Sequence, residues 1–123
     1  MKYYFKALRN YFNFKGRASR KEFWLYMLFD SIFLILAIVL DYVCKTYISL
    51  FGPQKIIGWI FVIYYYATYV PSISVGVRRL HDSGRIGWMY FVRFAPFIGF
   101  IWYLYLMTIK GTQGTNQYGE VPE

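Results

Sequence analysis

Residues 23–40 read FWLYMLFDSIFLILAIVL, a run of eighteen residues with one charged side chain, Asp30. A helix of this length reaches about 27 Å at 1.5 Å per residue, which is roughly the thickness of the hydrocarbon core of a bilayer. Residues 19–22 have the form of a capping box. In it, the Ser19 hydroxyl accepts from the backbone N–H of Glu22, and the Glu22 carboxylate accepts from that of Ser19. The stretch therefore predicts a membrane-spanning helix that begins beside residue 19.

The composition of the whole chain agrees with a membrane location. Of the 123 residues, 58% are hydrophobic and 16% are charged. A typical soluble domain is about 45–50% apolar and about 25% charged, and a soluble domain this small cannot bury so large an apolar fraction. The composition therefore predicts a single membrane domain over residues 1–123, and argues against a soluble enzyme, a disordered chain or a disulfide scaffold.

Two further apolar stretches predict two further spans. Residues 56–77 carry no charge and contain Pro71, a kink that neighbouring helices tolerate in a membrane. Residues 87–109 form the third predicted span, which Arg93 and Pro96 interrupt. Residues 41–55 are predicted to form a loop, and residues 110–123 a polar tail. The chain therefore crosses the membrane three times in this interpretation.

An amphipathic helix is predicted over residues 1–15, ahead of the first span. Tyr4, Leu8 and Tyr11 recur at spacings of three and four, whereas the cations fall on other faces. Such a helix is suited to lying in the interface plane of a membrane, and the alternative is a helix that packs on the rest of the protein. The predicted fold class is an all-α integral membrane protein with three transmembrane helices preceded by an amphipathic interfacial helix.

The basic residues indicate the orientation. The net charge is +8, and seven of the fourteen Lys and Arg residues lie in the first 22 residues, with three more in residues 78–86. The positive-inside rule places both segments in the cytoplasm, and three spans then place the C-terminus outside. Because these cations flank hydrophobic runs, they predict contact with anionic lipid headgroups rather than with nucleic acid.

Two ionisable side chains lie inside the predicted spans. Asp30 and Arg93 are seven and six residues from the cytoplasmic ends of the first and third spans, which predicts a similar depth for both. Because an unpaired charge inside a bilayer is costly, they are predicted to form an interhelical ion pair. The pair is either structural or part of a polar path in a small transporter or channel subunit. Alternatively, each side chain reaches the headgroups separately.

A set of polar residues, named here the arginine rim, is predicted to gather at the cytoplasmic face. Arginine binds phosphate in a bidentate manner, so the rim predicts a site for an anionic lipid headgroup, a phosphorylated ligand or a partner protein. The alternative is that these residues only set the topology. The rim comprises Arg17, Arg20, Glu22, Arg78, Arg79, His81, Asp82 and Arg85.

Signatures of enzymatic chemistry are not found in the sequence. There is no nucleophile–base pair, metal-ligand spacing or phosphate-binding glycine loop. The lone His81 and the lone Cys44 are too few for a zinc site. The sequence therefore predicts no catalytic site, no cofactor, no metal site and no enzyme.

Ser72 and Gly76 lie four residues apart in the second predicted span. Small residues at this spacing allow another helix to approach closely. They predict a helix-packing face, and through it a homo-oligomer or a contact with a membrane protein partner.

Three sequence blocks follow one another along the chain. The first is GRASR at 16–20 with EFW at 22–24, the second is VRRLHDSGR at 77–85 leading to GW at 87–88, and the third is GTNQYGEVP at 114–122. In this order they resemble the domain of unknown function 805 family of small bacterial inner-membrane proteins, over about residues 11–122. The resemblance implies a multi-span protein of the inner membrane and brings no established activity, substrate or cofactor. It also favours a shared interfacial site that includes residues of the first two blocks.

The third block bears on the topology. It contains Asn116, Tyr118 and Gly119, whose role is unknown, and three spans place it across the membrane from the arginine rim. If Pro96 and Gly99 instead break the last apolar segment into a re-entrant hairpin, the tail returns to the cytoplasmic face. The segment is too short for two full crossings, which take about 40 residues.

Overall fold

The computed structural model describes residues 2–47 and 57–122, and it is helical throughout its regular elements. In chain order these are α1 (Lys2–Arg9), α2 (Arg20–Cys44), α3 (Trp59–Asp82), a 3₁₀ helix (Gly87–Phe94) and α4 (Gly99–Thr108). Residues 41–44, predicted as the start of a loop, are helical. Residues 48–55 of that predicted loop, and position 56 of the second predicted span, lie outside the described residues.

The start of α2 is the one that the sequence predicts. Ser19 has an extended backbone, and its Oγ accepts from the backbone N–H of Glu22 at 3.1 Å. The helix ends beside Lys45, which adopts the left-handed conformation with φ 56°. The reciprocal half of the predicted capping box is wrong, because the Glu22 carboxylate pairs with Arg78 of α3 instead.

Helices α2 and α3 are long and apolar enough to cross a membrane. They contain 25 and 24 residues, with mean hydropathies of 2.3 and 1.4 in their most apolar windows. At 1.5 Å per residue they reach about 36 Å or more, which exceeds the hydrocarbon core. Buried Asp41, near the end of α2, accepts from the backbone N–H groups of Ile60 and Phe61 at 3.0 and 2.9 Å. This carboxylate satisfies donors at the start of α3 and so ties the two helices together.

The N-terminal helix packs on the protein and is shorter than predicted. It ends at Arg9, and Tyr4 and Ala7 are its buried residues. The Tyr4 ring stacks on Tyr26 of α2 with centroids 5.5 Å apart, and it meets Phe33 edge to face at 5.2 Å. The structure therefore shows α1 packed on α2, which is the alternative to a helix that lies free in the interface plane.

The third predicted span, over residues 87–109, is not a single helix that could cross a membrane. The segment divides into the 3₁₀ helix and α4, which are joined through Pro96 and Phe97. Proline has no backbone N–H to donate, and Phe97 has a left-handed φ of 69°, so the regular helix ends there. The two arms pack together, with the Tyr90 and Tyr103 rings edge to face at 5.4 Å. Each arm is about 15 Å long, too short to cross a bilayer, and residues 87–108 are called the hairpin below.

The hairpin packs against α3 at Gly76. A Cβ at this position would lie 2.9 Å from a Tyr90 ring carbon and 3.1 Å from the Tyr103 hydroxyl, so a larger residue would push the hairpin away. Ser72, one turn earlier, exchanges a hydrogen bond with the Tyr26 hydroxyl at 3.1 Å. The small-residue face of α3 is therefore occupied by the chain's own aromatic side chains, and Gly76 is buried beneath them.

Candidate functional site

Asp82, the last residue of α3, lies at the centre of a buried ion-pair network. Its carboxylate accepts from Arg17 at 2.8 Å and from Arg79 at 2.6 Å. Side-chain exposure is 1% for Arg17, none for Arg79 and 6% for Asp82. Buried charges are tolerated when they are paired and hydrogen-bonded. Because two guanidinium groups share one carboxylate, they need further acceptors.

Backbone carbonyl groups beyond α4 supply those acceptors. Arg17 donates to the carbonyl oxygens of Thr112 and Gly114 at 2.6 and 2.7 Å. Arg79 donates to the carbonyl oxygen of Ile109, next to the end of α4. Carbonyl groups at a helix C-terminus have no partner within the helix, so the guanidinium satisfies groups that would otherwise stay unpaired. The network thus joins the N-terminal segment, the end of α3 and the C-terminal tail.

The tail is held by further contacts on the same helix end. The Tyr118 ring stacks on His81 with centroids 3.9 Å apart and an interplanar angle of 3°. Asn116 donates from its amide to the His81 carbonyl at 3.0 Å, and His81 Nδ1 donates to the Gly16 carbonyl at 3.0 Å. Asn116 and Gly119 exchange two backbone hydrogen bonds that close the tail into a turn. Residues of all three sequence blocks therefore meet at one end of α3.

This arrangement corrects the predicted position of the tail. The predicted separation of the tail from the arginine rim is wrong, because the hairpin returns the chain to the helix end from which it left and the tail contacts Arg17 and His81 there. The backbone N–H of Thr112 donates to the carbonyl oxygen of Asp82 at 2.7 Å. The alternative, in which Pro96 and Gly99 turn the last segment back, describes the structure. Asp82 serves the ion-pair network.

A second buried ion pair lies beside the first. One Glu22 oxygen accepts from Arg78 at 2.8 Å, and the other lies 3.5 Å from the Lys6 ammonium of α1. The Glu22 side chain is fully buried and that of Arg78 is 3% exposed. Within the described part of the chain, Nε and Nη2 of Arg78 have no hydrogen-bond partner. The pair connects α1, α2 and α3 through one carboxylate.

Asp30 and Arg93 do not form the predicted ion pair. The ion pairs found within residues 2–47 and 57–122 include neither side chain. Asp30 accepts from the Tyr64 hydroxyl at 3.0 Å, and Arg93 donates to the Tyr90 hydroxyl at 2.6 Å. The break in the third segment explains the separation, because Arg93 lies on the hairpin rather than on a straight helix beside α2. Both side chains nevertheless line one cavity of about 220 Å³.

The surface of this helix end carries a polar cleft and an apolar groove. The cleft has a volume of about 230 Å³, and its lining includes Ser19, Arg20 and Lys110. The groove is lined by Arg20, Lys21, Trp24, Leu25 and Thr108. These two surfaces are named the basic cleft and the apolar groove, and Arg20 is common to both.

Comparison with known proteins identifies the family and the relatives of this chain. Residues 11–120 match the family described as Protein of unknown function (DUF805). The chain belongs to this family. Over its full length it is 34% identical to the inner membrane protein YhaI of Escherichia coli (strain K12), of which it covers 97%. It is 33% identical to the inner membrane protein YhaH of the same strain, of which it covers 98%. No solved structure matches this DUF805 chain. The relatives are inner membrane proteins, and the two apolar helices agree with that location.

The predicted rim of this DUF805 protein divides into two classes. Among the rim residues, Arg20 is exposed and Arg85 is half-buried. The buried class comprises Arg17, Glu22, Arg78, Arg79, His81 and Asp82. Lys110 was not predicted as a member of the rim, because three spans place it across the membrane from the other rim residues. It is an exposed cation that directly follows the last apolar segment. Among the described residues, no three His, Cys, Asp or Glu side chains come together as metal ligands.

Proposed function

We propose that this DUF805 protein is a non-enzymatic module of the inner membrane that binds anionic phospholipids at the helix end where the three blocks meet. The observation that carries the proposal is the position of Arg20, which lines both the basic cleft and the apolar groove. A phosphate in the cleft would meet two exposed cations, Arg20 and Lys110, and the hydroxyl of Ser19. Arg17 and Asp82 also line the cleft, but they are paired with each other. The groove beside Trp24 and Leu25 offers an acyl chain an apolar surface.

The buried network positions the basic cleft and does not itself bind the ligand. Arg17 and Arg79 direct their donors to Asp82 and to backbone carbonyl oxygens, which leaves them few donors for a phosphate. By holding Thr112 against Asp82, the network brings Lys110 close to Arg20. The buried members of the arginine rim are therefore structural, and the binding is carried by its exposed member Arg20 together with Lys110.

We also propose that α2 and α3 are the two crossings and that both termini are cytoplasmic. Seven cations precede residue 23, three lie in residues 78–86, and Lys110 follows the hairpin. The contacts of the tail bring these three groups to the same helix end. Lys45 lies at the opposite end of α2. The positive-inside rule assigns the end with more cations to the cytoplasm.

Arg20→Gln tests the lipid proposal, with Lys45→Gln as its matched control. Each variant removes one exposed cation, at opposite ends of α2. A cation near anionic lipid contributes about 1 kcal/mol, so Arg20→Gln is expected to bind phosphatidylglycerol about five-fold more weakly. Lys45→Gln is expected to bind it as the unmodified protein does. Lipid affinity is measured by native mass spectrometry across a phosphatidylglycerol titration, and equal affinities for both variants would contradict the proposal.

A second candidate function is that of a small transporter or channel subunit. One observation favours it, namely that Asp30 and Arg93 line the same cavity without neutralising each other. If this cavity belongs to a transport path, the double variant with Asp30→Leu and Arg93→Leu is expected to abolish solute transport by the reconstituted protein. The variant stays folded, because no ion pair between the two residues is lost.

A further inference from the structure

The cavity between α2, α3 and the hairpin contains two charged side chains of opposite sign on separate walls. Asp30 is 8% exposed, and the donor to its carboxylate is the neutral hydroxyl of Tyr64, which lies 2.7 Å from that of Tyr4. Arg93 donates to another neutral hydroxyl, that of Tyr90. Neither charge has an ion-pair partner in the described part of the chain.

The surroundings of Arg93 stabilise a cation without neutralising it. The guanidinium carbon lies 4.9 Å from the Tyr103 ring centroid and 5.8 Å from that of Phe100. Aromatic faces attract a cation, but they carry no net charge. An unpaired charge within a membrane protein is unfavourable, and side chains of this kind mark ligand and ion sites. The structure therefore holds Arg93 ready for an anionic group that the described residues do not supply.

The rest of the cavity lining is mixed, with apolar Met27 and Leu34 beside several hydroxyl groups. Ser31 lies on the α2 side, and Thr68, Tyr69 and Ser72 lie on the α3 side. Hydroxyl groups both donate and accept, so they hydrogen-bond either end of a polar ligand. A volume of about 220 Å³ holds several waters or one small organic molecule. The cavity lining thus combines an acidic residue, a basic residue and neutral hydroxyl groups.

We propose that this cavity binds a small zwitterion, with the ammonium group at Asp30 and the anionic group at Arg93. Such a ligand neutralises both charges together, that of buried Asp30 and that of half-buried Arg93, which a simple anion or a simple cation does not. Two sources share this chemistry, a free amino acid and the phosphoethanolamine headgroup of a phospholipid. This proposal names the ligand class for the second candidate function, and the role of the ligand rests on that candidate. Binding itself is tested without a transport measurement.

The test uses the full chain in nanodiscs, with melting temperature from tryptophan fluorescence as the measure of binding. In phosphatidylglycerol nanodiscs, glycine, alanine, glutamine and phosphoethanolamine are titrated separately, against acetate and ethylamine as single-charge probes. In a second arm, part of the lipid is replaced by phosphatidylethanolamine, with phosphatidylcholine as its control. We expect a saturable rise of a few degrees with a zwitterion, at least ten-fold tighter than with either single-charge probe. The arm that shows the rise identifies the source.

Variants separate the charges from the shape of the cavity. Asp30→Asn keeps an acceptor for Tyr64 and removes the negative charge, and Arg93→Gln removes the positive charge. Each is expected to bind the zwitterion at least ten-fold more weakly. Ser74→Ala is the matched control, because Ser74 is a buried serine of α3 that does not line this cavity. Its affinity is expected to equal that of the unmodified protein.

Three results would overturn the inference. The first is that no zwitterion in either arm binds more tightly than acetate and ethylamine. The second is that Asp30→Asn keeps full affinity. The third is that Ser31→Leu keeps full affinity, which would place the ligand elsewhere, because the larger side chain fills the cavity without altering either charge. This variant remains informative if a charge variant fails to fold. Binding without flux would refute only the transport candidate, and lack of binding leaves the lipid proposal unaffected.

Discussion

Asp82→Ala is expected to release the C-terminal tail and to lower the stability of the whole helix end. The substitution leaves Arg17 and Arg79 buried without the carboxylate that they share. Removing one partner of a buried ion pair costs about 3–5 kcal/mol, and here two guanidinium groups lose their partner. We therefore expect a loss of free energy of unfolding at the upper end of that range. Proteolysis measures the release directly, because trypsin cleaves after Lys110 once the tail detaches.

Glu120→Ala provides the control for this experiment. Glu120 is an exposed carboxylate of the same tail, so its removal changes the net charge by the same amount as Asp82→Ala. We expect its melting temperature and its rate of tryptic cleavage to match those of the unmodified protein. An Asp82→Ala protein whose tail resists trypsin as well as the control would refute the role assigned to the network.

Glu22→Met and Arg78→Met are each expected to destabilise the protein by about 3–5 kcal/mol, because each leaves a buried charge unpaired. The double variant is expected to be more stable than either single variant, since it leaves neither charge in the interior. Lys6→Met removes the partly exposed third member, and we expect it to cost about 1 kcal/mol or less. Unfolding in mixed micelles of increasing SDS content provides the free energies.

The sign of the coupling energy decides the interpretation of the Glu22–Arg78 pair. A double-mutant cycle compares the loss in the double variant with the sum of the two single losses. A strongly favourable coupling identifies a structural ion pair. Additive losses would show that the two side chains act independently, in conflict with the 2.8 Å contact between them.

The two apolar helices could be predicted from the sequence because hydropathy over some twenty residues is a local property. The start of α2 could be predicted for the same reason, since the Ser19 cap involves only residues 19–22. The C-terminal ends of α2 and α3 could not be predicted in this way. Helix α2 continues past residue 40, and α3 continues to Asp82, because Asp41 and Arg78 find partners on neighbouring elements. Those partners depend on tertiary contacts that a single stretch of sequence does not contain.

The hairpin and the state of the arginine rim lay beyond local patterns. Residues 87–109 have the apolar composition of a span, and composition does not distinguish a helix facing lipid from two short arms packed on α3. Arginine residues near a membrane predict phosphate binding in general. Whether Arg17 is available depends on Asp82 and Gly114, which lie 65 and 97 residues further along the chain. The sequence identified the residues of the helix end and not which of them are buried.

In the proposed topology, the tail and the N-terminal segment lie on one side of the membrane and residue 44 lies on the other. Three exposed positions test it, each as the single cysteine of its variant: native Cys44, Gln117→Cys with Cys44→Ser, and Lys15→Cys with Cys44→Ser. A membrane-impermeant maleimide is applied to spheroplasts and, separately, to lysed membranes. We expect Cys44 to be labelled in spheroplasts, and positions 15 and 117 to be labelled only after lysis. Labelling at position 117 in spheroplasts, with position 15 protected, would place the tail across the membrane from Arg17 and refute this topology.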